Sequence, residues 1–212
     1  MAITLKSEKY NSVTIDSNII IGVLGEDYQY FLKSLTGNVY HINNSNTIEN
    51  TSINENFKEY FNLLNIESIL KKNSKDLSHS EKRILKYFMM CKSNNRLLII
   101  DEPYLDLDYR EIKIINNLLK KLVKLGKTII IASSDINVIY SLCKKVIIID
   151  NDNLYYSNIE CLNNVKVLKK YNLDVPNIVE FIELAKKKNV KIPYSKDIRD
   201  LIKDVYRNVS KK

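Results

Sequence analysis

Three runs of consecutive aliphatic residues constrain the fold of this chain more than any other feature. They cover residues 97–100, 129–132 and 146–149, and Thr128 extends the second to a predicted strand at 128–132. A run that is apolar at every position is typical of a strand buried on both faces, because a half-exposed strand alternates apolar and polar side chains. The intervening segments, 109–125 and 136–143, have the length and spacing of helices. Since parallel strands need such crossovers, we expect neighbouring core strands in one mostly parallel sheet, with helices on both faces.

The segment 109–125 predicts an amphipathic helix that ends at Gly126. Its apolar residues recur every three or four positions, which places them on one face. The predicted stripe is Ile112, Ile115, Leu118, Leu119 and Leu122.

The rest of the chain predicts shorter elements. Residues 12–25 indicate an edge strand, a turn and a more buried strand, and 28–37 indicate a helix that Gly37 ends. Residues 57–72 predict a helix followed by a short second one, and 78–92 a helix with Ser78 or Ser80 as N-cap. The polar segment 38–56 predicts a loop or one weak strand. After the third aliphatic run, NDNLYY predicts a turn into a short edge strand.

Length and composition fit one globular domain with a small appendage. The chain has 212 residues, of which 45% are hydrophobic and 27% charged. No apolar run approaches the roughly 18–20 residues needed to cross a bilayer, and MAITLKSEKY lacks the apolar core of a signal peptide. We therefore expect a cytosolic protein. Its three scattered cysteines are expected to be reduced, structural thiols.

A net charge of +8 favours acidic partners of two kinds, nucleic acid and an anionic membrane surface. The lysines are spread along the chain rather than clustered. Their densest run, at 185–191, is interpreted as a solvated helix end.

The first aliphatic run ends on Asp101 and Glu102, followed by a proline. A buried strand that ends on two carboxylates can hold magnesium and a water beside a nucleotide phosphate. Such a site needs a glycine-rich loop, a lysine and a hydroxyl to bind the phosphates. Gly22 and Gly25 follow a predicted strand, but only EDYQY separates them from the next helical residues.

Residues 77–108, LSHSEKRILKYFMMCKSNNRLLIIDEPYLDLD, resemble the region of ATP-binding cassette (ABC) ATPases that runs from the LSGGQ signature through Walker B to the D-loop. Leu77 and Ser78 match the first two signature positions, and Asp108 matches the end of the D-loop. Glycine, glycine and glutamine are usual at the three positions that follow Ser78. Those positions hold His79, Ser80 and Glu81.

The C-terminal segment resembles the extension of the ATPases of energy-coupling factor transporters, which import vitamins and metal ions. The matching features are LDVP at 173–176 and Ile-Pro at 192–193. The resemblance implies an α/β, P-loop NTPase-like three-layer fold with a mostly parallel sheet, a truncated antiparallel subdomain and a small helical subdomain. It implies an ABC ATPase-like domain at 1–164, the helical subdomain at 57–92 and a helical extension at 165–212.

The chain departs from the family pattern where nucleotide is usually bound. Gly22 and Gly25 are the only remnant of the Walker A loop, whose lysine and other glycines are missing. Ser134 stands at the position of the H-loop histidine. No Q-loop glutamine is found, and Tyr10 is the candidate for stacking on adenine. Glu26 and Asp27 place negative charge where phosphate would lie.

Two interpretations of the Walker B-like pair follow. In a working site Asp101 would hold magnesium and Glu102 would polarise the attacking water. Alternatively, the strand end is retained only because the fold needs it. The loss of the Walker A and H-loop residues favours the second interpretation.

The resemblance implies a pseudo-ATPase that forms a head-to-tail heterodimer with an intact ABC ATPase subunit, together with a membrane transporter subunit. ATP and magnesium would then bind only in a composite site, and the chain would lie at the inner face of the cell membrane. One alternative is a regulatory or scaffolding protein that binds an ABC partner. Another is a nucleic-acid-associated ABC-type protein, which the transporter-like tail disfavours.

Overall fold

The computed structural model describes residues 2–7, 9–35, 39–42, 55–190, 192–194 and 198–209. The strands are β1 (Ala2–Leu5), β2 (Val13–Asp16), β3 (Ile20–Leu24), β4 (Val39–His41), β5 (Leu97–Asp101), β6 (Thr128–Ala132), β7 (Lys145–Asp150) and β8 (Asn153–Asn158). The helices are α1 (Tyr28–Ser34), α2 (Lys58–Leu63), α3 (Ile66–Leu70), α4 (His79–Lys92), α5 (Tyr109–Lys124), α6 (Ile136–Leu142), α7 (Val165–Lys170), α8 (Asn177–Lys187) and α9 (Ile198–Val209). The helix stop predicted at Gly37 lies outside the described residues.

The main sheet has the strand order β4–β5–β6–β3–β7–β8. All neighbours are parallel except β7 and β8, which form the predicted antiparallel hairpin. The mostly parallel α/β sheet is therefore confirmed. The expectation that the three aliphatic runs are direct neighbours is wrong in one respect, because β3 lies between β6 and β7. The crossover connections allow an N-terminal strand to enter the middle of the sheet.

The two faces of the sheet are covered differently. Because side chains alternate along a strand, Ile129 and Ile131 face one hydrophobic cluster and Ile130 faces the other. The first cluster includes buried residues of α4, α5 and α6. The second includes α1 and a separate antiparallel sheet of β1 and β2. Helices on both faces were predicted, but in the described chain this second face carries α1 and the small sheet.

In α5, four residues of the predicted apolar stripe are buried as expected, and one is not. Ile115, Leu118, Leu119 and Leu122 are fully buried. Ile112 is only half-buried, and Ile114 is buried instead. The inward face is therefore rotated towards Ile114. As a result Ile112 lies at the edge of that face, where it lines a surface groove.

The helical segments match the sequence pattern closely. Residues 57–72 form α2 and the short α3, and Ser78 rather than Ser80 is the N-cap of α4. In the tail, α8 ends in the lysine run, where Lys186, Lys187 and Lys188 are exposed, which confirms a solvated helix end. Among the described helices, none has both the length and the apolar character needed to cross a bilayer.

Candidate functional site

The candidate site lies where the carboxyl ends of three adjacent strands meet. β5 ends at Asp101 and Glu102, β6 is followed by Ser133 and Ser134, and β3 is followed by Gly25. The sheet brings the predicted Walker B pair beside the predicted H-loop position because parallel strands end at one edge.

The turn after β5 is held by α4. Glu102 has φ of +48°, a left-handed conformation uncommon for a residue with a side chain. The buried guanidinium of Arg83 donates from Nη2 to the Asp101 carbonyl oxygen at 2.6 Å and also to the Glu102 carbonyl oxygen. Tyr87, one helical turn further, donates its hydroxyl to the Pro103 carbonyl oxygen at 2.7 Å. The helix that begins at the signature-like segment therefore fixes the backbone that carries both carboxylates.

Both carboxylate oxygens of Glu102 accept hydrogen bonds within the chain. Oε2 accepts from the Ser133 hydroxyl at 2.7 Å, and Oε1 accepts from the Ser134 backbone N–H at 2.5 Å. The Tyr28 hydroxyl donates to Oε1 at 3.4 Å. Glu102 thus connects β5, β6 and the start of α1. A carboxylate engaged in this way links the ends of the two strands.

Asp101 differs from Glu102 in its hydrogen bonding. Its Oδ1 is buried and accepts no hydrogen bond from the described part of the chain. Burial and the charge of Glu102 raise the pKa of the Asp101 carboxyl, while Arg83 and Lys33 partly oppose that shift. Magnesium takes about six oxygen ligands. The described residues contain no group of three carboxylate, histidine or cysteine side chains able to hold a metal ion. Magnesium at a nucleotide is usually held by one or two carboxylates together with waters and phosphates, so Asp101 could supply one ligand only where a nucleotide supplies others.

The connection from β3 to α1 is only Gly25, Glu26 and Asp27. Gly25 has φ of +125°, and a Cβ there would lie 2.5 Å from the Ile149 carbonyl oxygen. Asp27 pairs with Lys9 at 2.9 Å. A phosphate-binding loop needs several N–H groups that curl around the phosphates, with a cation beside them. A connection of three residues, two of which carry carboxylates, does not fit the phosphates of a nucleoside triphosphate.

Gly22 also differs from a phosphate-binding glycine. It lies inside β3, and a Cβ at Gly22 would be 2.3 Å from Cγ2 of Ile139 and 3.2 Å from Sγ of Cys143. Its function is to let α6 pack closely on the sheet. Tyr10, the candidate for adenine stacking, is buried and packs edge-on against Phe31, so it cannot stack on a base.

The signature-like segment forms the start of α4. Ser78 Oγ accepts from the Glu81 N–H at 3.1 Å, and Glu81 Oε2 accepts from the Ser78 N–H at 3.0 Å. This capping box uses two N–H groups of the helix start. Lys72 pairs with Glu81 at 2.6 Å. Leu77 is buried and His79 is exposed.

The D-loop position lies beside this helix start. Asp108 caps α5 by accepting from the Glu111 N–H at 2.7 Å, and Glu111 returns a hydrogen bond by accepting from the Asp108 N–H at 2.8 Å. Ser80 donates its hydroxyl to Glu111 Oε1 at 2.6 Å. The signature-like and D-loop-like residues therefore form one hydrogen-bonded cluster, separate from the Glu102 cluster.

Comparisons with known proteins identify the class. Over 178 residues, 82% of this chain, the sequence is 28% identical to an energy-coupling factor transporter ATP-binding protein of Mycoplasmopsis synoviae, and the match covers 57% of that protein. It is 26% identical over 162 residues, 74% of the chain, to another energy-coupling factor transporter ATP-binding protein, from Oenococcus oeni, and that match covers 56% of that protein. The fold matches cbiO1 of Clostridium perfringens, part of an ABC transporter complex, with a TM-score of 0.58 and 19% identity over 86% of this chain and all of that one.

The chain therefore has the fold of ABC ATPase domains. It is a relative of the ATP-binding subunits of ABC transporters, and the resemblance to those of energy-coupling factor transporters is confirmed. The matched region spans little more than half the length of both relatives. No protein-family model matches the sequence.

Proposed function

We propose that this chain is a non-hydrolytic subunit of an energy-coupling-factor-like import complex, where it pairs head to tail with an intact ABC ATPase. The observation that supports this most directly is the three-residue connection between β3 and α1, which replaces a phosphate-binding loop with Glu26 and Asp27. The hydrogen bonds that Ser133 and Ser134 donate to Glu102 agree with it, because they occupy the carboxylate that would activate water.

In such a pair, the chain contributes the start of α4 to a nucleotide held by the other subunit. A helix N-terminus suits a phosphate because of its free N–H groups and dipole. ATP and magnesium then bind only in this composite site. The capping box of Ser78 and Glu81 and the charge of Glu81 weaken that contribution. A membrane transporter subunit would hold the pair at the inner face of the membrane, and nucleic acid is not a partner.

A scaffolding role is the second candidate. The observation that favours it is the same capping box, since Glu81 already satisfies the Ser78 N–H. In that case the chain binds the ABC partner without joining catalysis.

The isolated chain is expected to show no magnesium-dependent ATP turnover, because no residues of its β3–α1 connection can hold the phosphates. The measurement is phosphate release by the purified chain, with an intact ABC ATPase as positive control. Turnover that the change Glu102→Gln abolishes would contradict the proposal.

Ser78→Arg is expected to lower the ATP turnover of a reconstituted ABC partner several-fold while the complex persists, because the arginine blocks the start of α4. The control is Ser74→Arg, which adds the same charge at an exposed position four residues earlier. If Ser78→Arg leaves turnover unchanged and truncation after Val165 breaks the complex, the chain is a scaffold and the composite site does not exist.

A further inference from the structure

A continuous series of hydrogen bonds joins the Glu102 cluster to the C-terminal helices. The Ser133 hydroxyl donates to Glu102 Oε2 at 2.7 Å, and Ser133 Oγ accepts from the Asp135 N–H at 3.2 Å. Asp135 Oδ1 accepts from the side-chain amide of Asn137 at 2.9 Å. Asn137 Oδ1 accepts from the Asn177 N–H at 2.8 Å. These five residues form the α6 network, named for the helix whose start it crosses.

The side chain of Asn137 is held in one orientation. Its Nδ2 donates to the Asp135 carboxylate, which can only accept, and its Oδ1 faces the Asn177 N–H, which can only donate. A flipped amide would lose both hydrogen bonds. Asp135 Oδ1 also accepts from the Asn137 backbone N–H at 2.8 Å. The position of Asp135 therefore sets the position of the oxygen that α8 uses.

Asn137 caps α8 from outside that helix. The N-cap of α8 is Pro176, which makes no side-chain cap hydrogen bond. The N–H of Asn177 is one of the first N–H groups of the helix, which have no acceptor within it. Asn137 Oδ1 supplies that acceptor from a position 40 residues earlier in the chain. The start of α8 is thus held by a side chain of the ABC-like domain.

α8 connects this cap to α9. Val179, in the first turns of α8, is fully buried in the main hydrophobic cluster. Further along, Ile182 packs with Ile192 and Leu201 in a small separate cluster. Because α9 packs on α8 through that cluster, a change in the direction of α8 at its start moves α9 as well.

The opposite end of the α6 network depends on Glu102. Its carboxylate accepts from the Ser133 hydroxyl and from the Ser134 N–H, and these bonds hold the segment between β6 and α6. Ser133 is buried, at 4% exposure. If the carboxylate turned to another donor, the buried hydroxyl would lose its acceptor, which is costly enough to make the segment rearrange.

We propose that the α6 network couples the state of the Glu102 carboxylate to the position of α8 and α9. While Glu102 accepts from Ser133, the segment 133–137 is fixed and Asn137 caps α8. When Glu102 accepts from a different donor, this cap weakens and both helices loosen. The coupling acts in both directions, because a free energy that links two sites is reciprocal. The inference depends on no nucleotide or partner and is independent of the proposed function.

The test measures amide hydrogen exchange in the purified, ¹⁵N-labelled full chain by NMR, with the Asn177 amide as reporter. Asn137→Ala removes the acceptor, and the loss of one hydrogen bond should speed Asn177 exchange about fivefold. Ser133→Ala should speed it about threefold, although Asp135 and Asn137 lie between Ser133 and the reporter. A purely local function of the Ser133 hydroxyl would leave Asn177 unchanged.

The double variant tests whether the α6 network acts as a unit. With Asn137→Ala already present, Ser133→Ala should change Asn177 exchange by less than about 1.5-fold, because the bond through which it acts is gone. Independent effects would instead multiply to roughly fifteenfold.

Glu102→Gln tests the same coupling if Ser133→Ala does not fold. It keeps the length of the side chain but replaces one carboxylate oxygen by an NH₂ group, so Ser133 and Ser134 cannot both keep their acceptors. Asn177 exchange should rise at least about twofold.

Ser134→Ala is the matched control. Its side chain is exposed, and it contacts Glu102 through its backbone N–H, which alanine retains. It should change Asn177 exchange by less than about 1.5-fold. The amide of Ile147, a fully buried residue of β7, reports global unfolding in the same spectra.

Three results would overturn the proposal. They are unchanged Asn177 exchange in both Ser133→Ala and Glu102→Gln, multiplicative effects in the double variant, and equal acceleration at Ile147 and Asn177, which would show general destabilisation. ATP turnover is not measured in these experiments, so each of these results leaves the proposed function standing.

Discussion

Replacing Arg83 by methionine is expected to lower the free energy of unfolding by about 3 kcal/mol. Arg83 donates to the carbonyl oxygens of Asp101 and Glu102 from a buried position, and hydrogen bonds from a charged donor contribute roughly 1.5–3 kcal/mol each. Methionine retains much of the volume but leaves both carbonyl groups without this donor. Urea denaturation of the purified chain measures the difference.

The matched control is Lys82→Met, which removes the same charge from the exposed neighbouring position of α4. It should change the free energy of unfolding by less than about 0.5 kcal/mol. A loss below about 1 kcal/mol for Arg83→Met would show that the turn at Glu102 is held without the guanidinium.

Gly25→Ala is expected to have an effect of similar size, about 3 kcal/mol or more. The new Cβ would lie 2.5 Å from the carbonyl oxygen of Ile149 and 2.9 Å from its Cβ. Neither atom can move away by a side-chain rotation, and φ of +125° adds backbone strain of about 1–3 kcal/mol. Thermal and urea unfolding of the variant measure the loss.

Substitutions at two other glycines distinguish the cost of the steric clash from the cost of backbone strain. Gly126→Ala adds the strain of φ at +88° without a clash, since the nearest atom to the new methyl group is Asn18 Oδ1 at 4.0 Å, so about 1 kcal/mol is expected. Gly22→Ala places a methyl group 2.3 Å from Cγ2 of Ile139, which is buried and has little rotamer freedom in a helix, so α6 must shift and the cost is about 3 kcal/mol or more. If Gly126→Ala destabilises the chain as much as Gly25→Ala, the clash at Ile149 is not the cause.

Most of the sheet could be predicted because a continuous aliphatic run leaves few alternatives to a buried strand. The strand order could not, because the sequence does not specify which buried strands pair. The sequence also does not predict the rotation of α5 towards Ile114. Ile112 and Ile114 are equally apolar, and only packing distinguishes them.

The candidate site was predictable in part. Glu102 and Ser134 meet because parallel strands end at one edge of the sheet. The hydrogen bonds of Tyr28 and Ser133 to Glu102 join residues 74 and 31 positions apart, and no local pattern reveals them. The burial of Arg83 could have been predicted, because it lies four residues before Tyr87 and therefore on the buried face of α4.

The position of β3 has a consequence for synthesis of the chain. Residues 20–24 pair with β6 and β7, more than 100 positions later. At about 5–20 residues per second, a ribosome takes roughly 6–25 s to extend the chain from residue 24 to residue 150. For most of that interval the aliphatic segment has no partner strand, because β6 is complete only at residue 132 and β7 only at residue 150. Nascent-chain folding must therefore be late, and chaperones that shield exposed strands should contact the N-terminal region first.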